Sequence, residues 1–285
     1  MLPTFVIGLR EGLEAALIVG IIAAFLGQNG RRDALPKVWI GVAVAVLICL
    51  GFGIGLHLLS DTLDTTQQER LETVIGAFAV VMVTYMVLWM TRHARGMKGE
   101  LESAASAALA KGSTRALVMM AFLAVLREGF ETVVFLLAVA QSSQSSSGAL
   151  IGAVLGIVVA VGIGYGIYRG GVRLNMAKFF KFTGAVLVLV AAGLVMSTLH
   201  TAWEGQWISV GQQPALNLTW LVKAGTPQES LLSGVLGIQP RPTVLEVTGW
   251  LVYAIPMFAV VLWPRGRRRR PAPVTSAATV GAQQS

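Results

Sequence analysis

From its first residues the chain is a succession of long apolar stretches broken by short polar ones. The apolar stretches fall near 3–27, 36–59, 71–91, 116–141, 148–168, 179–200 and 243–263. A hydrocarbon core about 30 Å thick takes ~20 mostly apolar helical residues to cross. The pattern therefore predicts an all-α polytopic membrane protein of about seven transmembrane helices, with residues 1–264 as one membrane domain. Glu11 and Glu14 interrupt the first stretch and no basic segment precedes it. It reads as a retained helix, not a cleaved signal peptide.

The polar gaps orient the helices. Arg31 and Arg32 lie in the first, Arg92, Arg95, Lys98, Lys111 and Arg115 in the third, and Arg173 and Lys178 in the fifth. With the run Arg265 to Arg270 they hold most of the positive charge, which marks cytoplasmic loops. The alternate gaps carry Asp61, Asp64 and Glu69, then a Ser/Gln run at 141–147, then the long segment 201–242 with Trp203, Trp207 and Trp220. These are expected outside with the N-terminus, the tryptophans at the interface. Residues 97–112 suit a cytoplasmic surface helix, and 265–285 a basic, disordered cytoplasmic tail.

Composition agrees with this reading. Apolar residues make up 55% and charged ones 13%, and the mean hydropathy is +0.70, far from the quarter of charged residues usual in soluble domains. A net charge of +8 raises the question of nucleic acid. The positive residues sit where topology needs them, so no nucleic-acid partner is expected. Cys49 is the only cysteine, which rules out an intramolecular disulfide.

Laying the two halves side by side shows a repeat. Arg10-Glu11-Gly12-Leu13-Glu14 in the first span recurs as Arg127-Glu128-Gly129-Phe130-Glu131 in the fourth, and Gly51-Phe52-Gly53-Ile54-Gly55 in the second as Gly162-Ile163-Gly164-Tyr165-Gly166 in the fifth. Gly76 and Gly184 tie the third span weakly to the sixth. Three spans separate the copies, so the second crosses in the opposite direction. The expected architecture is a 3+3 inverted-topology repeat, 1–92 and 115–201, plus an extra helix at 243–263; such repeats usually place their substrate site near the midplane.

On a helix, Arg10, Glu14 and Glu11 sit at about 0°, 40° and 100°, one face, and Arg127, Glu131 and Glu128 repeat the arrangement. At ~2.5–3.5 kcal/mol per central charge, six unpaired charges would cost roughly 15–20 kcal/mol. They must pair, face water or hold an ion. Simple neutralisation is one reading, since Arg at i meets Glu at i+4. Two arginines leave two carboxylates unbalanced, however, and that surplus suits a cation. Carboxylate oxygens are hard ligands, fitting Mg, Ca, Mn or high-valent iron better than Cu(I), and spacing alone does not choose among them.

The doubled Arg-Glu-Gly-x-Glu motif, one copy in each half of a seven-span chain, resembles the oxidase-dependent iron permease family, its bacterial members above all. The resemblance implies an iron permease importing Fe2+ or Fe3+ across the bacterial cytoplasmic membrane, with Glu11, Glu14, Glu128 and Glu131 as iron ligands and Arg10 and Arg127 as supporting residues. It implies iron as transported substrate, no permanently bound cofactor and no enzymatic activity. Some relatives carry an extracytoplasmic domain ahead of the first span, and this chain starts at the motif helix; an oxidase, peroxidase or iron-delivery partner is expected to be a separate polypeptide.

His57, Asp61 and Asp64 after the second span, with His200 and Glu204 after the sixth, are candidates for an outer mouth that concentrates cations, or are ordinary solvated loop charge. Met82, Met86 and Met90 form a stripe better explained by packing than by Cu(I). The glycine triplets end apolar helices and follow no strand, so they favour close helix packing over nucleotide binding. No Walker A pattern occurs. Two rival readings stay open: a proton-coupled transporter of another substrate, and a membrane receptor or scaffold with structural buried charges.

Overall fold

The computed structural model describes residues 1–93, 99, 103, 114–141, 146–169, 175–218 and 239–262. Arg95, Lys98, Lys111, Arg173 and Trp220, most of segment 97–112, Ser142 to Ser145 and the tail from 263 lie outside the described residues. Within them the regular structure is helical: α1 Leu2–Gln28, α2 Leu35–Asp61, α3 Thr65–His93, α4 Thr114–Gln141, α5 Ser146–Tyr168, α6 Met176–Glu204 and α7 Val244–Leu262. Pro3 and Pro36 occupy the first turns of α1 and α2, where a missing N–H costs nothing. Asn175 caps α6, its side chain accepting from the Lys178 N–H at 3.1 Å. A reciprocal box starts α7: the Thr243 N–H donates to Glu246 Oε2 at 2.9 Å and the Glu246 N–H to Thr243 Oγ1 at 3.3 Å.

Five helices, α2, α3, α5, α6 and α7, are long and apolar enough to cross a membrane. The other two, α1 and α4, are those whose apolar runs the motif charges interrupt. The fold explains how those charges are carried. α2 and α5 lie outermost, with Ile40, Leu47 and Ile54 on one and Leu150, Val154 and Val158 on the other exposed, as lipid-facing surface should be. The interior gathers Ile7, Met86, Phe135, Leu187 and Met257 from five helices. Met86 and Met90 are buried and Met82 packs beside them, so the methionine stripe is core.

Packing follows a pairwise scheme: α1 lies along α5, α2 along α4, α3 along α6, and α1 and α4 meet each other, while α7 covers α6. The α1–α5 seam is the tightest. A Cβ on Gly156 would strike the backbone of Phe5 and Leu9, one on Gly152 the Met1 carbonyl, and one on Gly8 the Ala153 carbonyl. Small residues at four-residue spacing let helix backbones approach closely in lipid. Of the glycine triplets, the middle members serve this purpose, Gly53 against Val133 and Gly164 against Ala16, whereas Gly51, Gly55 and Gly162 meet nothing. The motif glycines do likewise: Gly12 faces Ala160 and Gly129 faces Cys49.

Candidate metal site

The α1–α4 crossing brings the two motifs together inside the bundle. Arg10 is fully buried, and Glu11, Glu14, Glu128 and Glu131 are all buried. Carboxylate oxygens of Glu11, Glu128 and Glu131 lie within 4.8 Å of one another, a group able to surround one ion. No other histidine, cysteine or carboxylate group among the described residues is as compact. Glu14 stands apart from this triple: its Oε1 lies 3.4 Å from Arg10 Nε. It still feels the charges of Glu131 and Arg127 from the opposite helix.

The arginines hold their own glutamates but differ in environment. Arg127 Nε donates to Glu131 Oε1 at 2.9 Å and lies 3.9 Å from Glu128 Oε1. Its side chain is 49% exposed, against 1% for Arg10, and its guanidinium sits over the Trp89 ring at 5.9 Å. Several buried motif atoms have no hydrogen-bond partner: both Glu11 oxygens, Oε1 of Glu14, Oε2 of Glu128 and of Glu131, and Arg10 Nε and Nη1. Buried polar atoms in native structures are nearly always paired. The four orphaned oxygens on Glu11, Glu128 and Glu131 converge from two helices and fit a cation that completes the arrangement.

The expected outer-mouth residues divide into two places. His200 Nε2 lies 3.5 Å from Glu204 Oε1, and its Nδ1 lies 2.8 Å from Oε1 of the buried Glu246. Glu69 and Glu72 of α3 interact with Glu204. His57 and Asp64, both exposed, belong to the end of α2 and the turn after it, and Asp61 ends α2 itself; α2 packs on α4. Sequence reasoning missed Glu72 and Glu246. A signal for Glu246 was present, since Thr243-x-x-Glu246 spells a capping box.

The chain's whole membrane portion, residues 1–265, matches the model of the iron permease FTR1 family. It is 40% identical over 271 residues to a ferrous iron permease, EfeU, of Escherichia coli O6:K15:H31, covering 93% of this chain and 97% of that protein. The EfeU of Yersinia pestis is 41% identical over 266 residues, with 93% and 94% covered. No solved structure matches. An all-helical bundle whose two motif helices cross at a buried carboxylate cluster, with relatives aligned along nearly their full length, places the protein plainly: the chain belongs to the iron permease FTR1 family.

Proposed function

We propose that this multi-pass membrane protein imports iron through the cluster formed by Glu11, Glu128 and Glu131, with Glu14 as a fourth, Arg10-held carboxylate. The observation that carries the reading is the set of buried, unpartnered carboxylate oxygens within 4.8 Å across α1 and α4. Hard oxygens suit iron ions. Arg10 and Arg127 offset two of four negative charges, and the remaining two match a divalent cation. An inside-negative potential contributes about 4.6 kcal/mol per 100 mV to a divalent ion's entry, so inward movement needs no nucleotide. Extracytoplasmic oxidase, peroxidase or iron-delivery proteins enter the reading as partners.

The reading includes an inverted repeat with the N-terminus outside and the C-terminus in the cytoplasm. Packing supports the repeat. Exchanging α1 with α4 and α2 with α5 turns the α1–α5 pair into the α4–α2 pair, and both occur. The register that aligns Arg10 on Arg127 matches Gly12 with Gly129 and Ala16 with Val133. The register that aligns the glycine triplets matches Cys49 with Ala160 and Gly53 with Gly164. Contacts Gly12–Ala160 and Gly129–Cys49 are therefore counterparts, as are Gly164–Ala16 and Gly53–Val133. The basic first gap and the acidic second gap support the orientation.

Purified variants in proteoliposomes test the site. Glu11→Gln and Glu131→Gln preserve size while removing an anionic donor, and should abolish both iron uptake and iron binding with assembly intact. A proton relay would lose uptake and keep iron binding, and a scaffold would lose neither; either result rejects the carboxylate site.

A further inference from the structure

A small cavity opens between the ends of α3, α4 and α6 nearest His200. Its volume is about 10 Å³, room for roughly one water-sized centre. Five oxygen-bearing side chains line it: Glu72 from α3, Gln141 from α4, and Ser197, Thr198 and Thr201 from α6. That is a carboxylate, an amide and three hydroxyls, an all-oxygen donor set of the kind hard cations take. At the cavity Gly76 brings α3 close to Thr198: a Cβ there would fall on the Thr198 hydroxyl. Thr73 and Thr201 tie the same two helices through a 3.0 Å hydroxyl bond. Gln68 donates to Oε1 of Glu72 at 3.2 Å, which leaves the second carboxylate oxygen for the cavity.

Position gives the cavity its meaning. Ala138 of its wall is seven residues beyond Glu131 on α4, the same face two turns on, about 10 Å along the axis. Between them on that face stands Phe135, fully buried, and Leu194 of α6 is buried beside the cavity. An oxygen-lined chamber is thus separated from the carboxylate cluster by an apolar plug about two turns long. Glu69 lies one turn further out, its Oε2 buried without a partner, and it interacts with Glu204. Negative charge at the approach raises local cation concentration.

We infer that this chamber is a second cation site, a waiting position that accepts one hard metal ion before the Phe135 plug opens toward Glu131. The order of occupation rests on the carboxylate reading of the central site; the chamber's own binding does not.

Mn2+ is the probe, an oxygen-seeking divalent ion whose free concentration is read by electron paramagnetic resonance. The full-length protein in detergent should bind two Mn2+, Glu131→Gln one, and Glu131→Gln combined with Glu72→Gln none. If Glu72→Gln removes an ion while Glu131→Gln removes none, the chamber stands and the central carboxylate site fails. If Glu72→Gln leaves the number bound unchanged in either background, the chamber is a water pocket and the inference is overturned. In proteoliposomes Glu72→Gln should raise the half-saturating iron concentration about tenfold with the maximal rate kept; an unchanged half-saturation overturns the inference equally. Should Glu72→Gln fail to assemble, Ser197→Ala with Thr198→Val removes two donors at nearly constant volume, and its half-saturation and Mn2+ count decide in the same way.

Discussion

Arg10 and Arg127 occupy the same place in two copies of one motif, yet removing them should have very different costs. Arg10 is sealed, and its Nε lies 3.4 Å from Glu14. At an effective dielectric of about 20 that separation corresponds to roughly 5 kcal/mol of attraction. Arg10→Gln strands Glu14 and Glu11 without that charge, so a destabilisation of about 3–5 kcal/mol is expected, as for other broken buried pairs. Arg127 is closer to its partner, 2.9 Å from Glu131, but half exposed. A guanidinium at that depth is tenable only against water, and with water screening the same arithmetic gives about 1.4 kcal/mol before side-chain entropy is counted. Arg127→Gln should therefore cost about 1 kcal/mol. Distance alone ranks the two the other way. Equilibrium unfolding in mixed micelles, followed by tryptophan fluorescence, reads the difference. Arg10→Gln with Glu14→Gln should recover much of the loss because no unpaired charge remains between them. Equal costs for the two arginine variants, or a double variant no better than Arg10→Gln, would refute the reasoning.

Two further outcomes follow from the same geometry. Gly156→Ala puts a methyl into the backbone of Phe5 and Leu9 and should cost about 1–3 kcal/mol despite better helix propensity; Gly51→Ala, with nothing near it, should stabilise by up to about 1 kcal/mol in the same unfolding assay. On the proposed orientation, and with the half-exposed Arg127 facing water, Leu123→Cys one turn away should react with a membrane-impermeant thiol reagent from the cytoplasmic face. Its repeat counterpart Val6→Cys should be protected until iron turnover begins; reaction of both, or of neither, in iron-free protein would contradict the assigned accessibility.

The charge pairs and the all-helical architecture were legible because each leaves a one-dimensional trace: a charged face in an apolar run, or long apolar runs between short polar gaps. Partner choice leaves none. Helical phase puts Glu11 and Glu14 on one face, but only the angle at which α1 crosses α4 decides that Glu11 joins Glu128 and Glu131 while Glu14 turns to Arg10. The same holds for the mouth. His57 and Asp64 share a membrane side with His200 in the sequence reading, but α2 packs on α4 and α6 on α3 and α7, so α6 finds Glu69, Glu72 and Glu246. Identical glycine triplets likewise conceal that their middle residues make the close contacts.

On the proposed inverted repeat the frame is symmetric only in part, and that bears on mechanism. Two pairs of glycine contacts are counterparts, while the α1–α5 seam is tighter than the α2–α4 seam that matches it. Arg10 is buried while Arg127 is half exposed, and the oxygen-lined chamber lies toward one end, beyond Phe135. In an inverted repeat, giving each half the conformation of the other reverses the side on which the site opens. Under that exchange, on the proposed repeat, Arg10 would become the exposed arginine and Arg127 the buried one. On the proposed carboxylate site, a divalent ion at Glu11, Glu128 and Glu131 would bridge both motif helices and offset the surplus negative charge, which would lower the cost of moving one half against the other with the site closed.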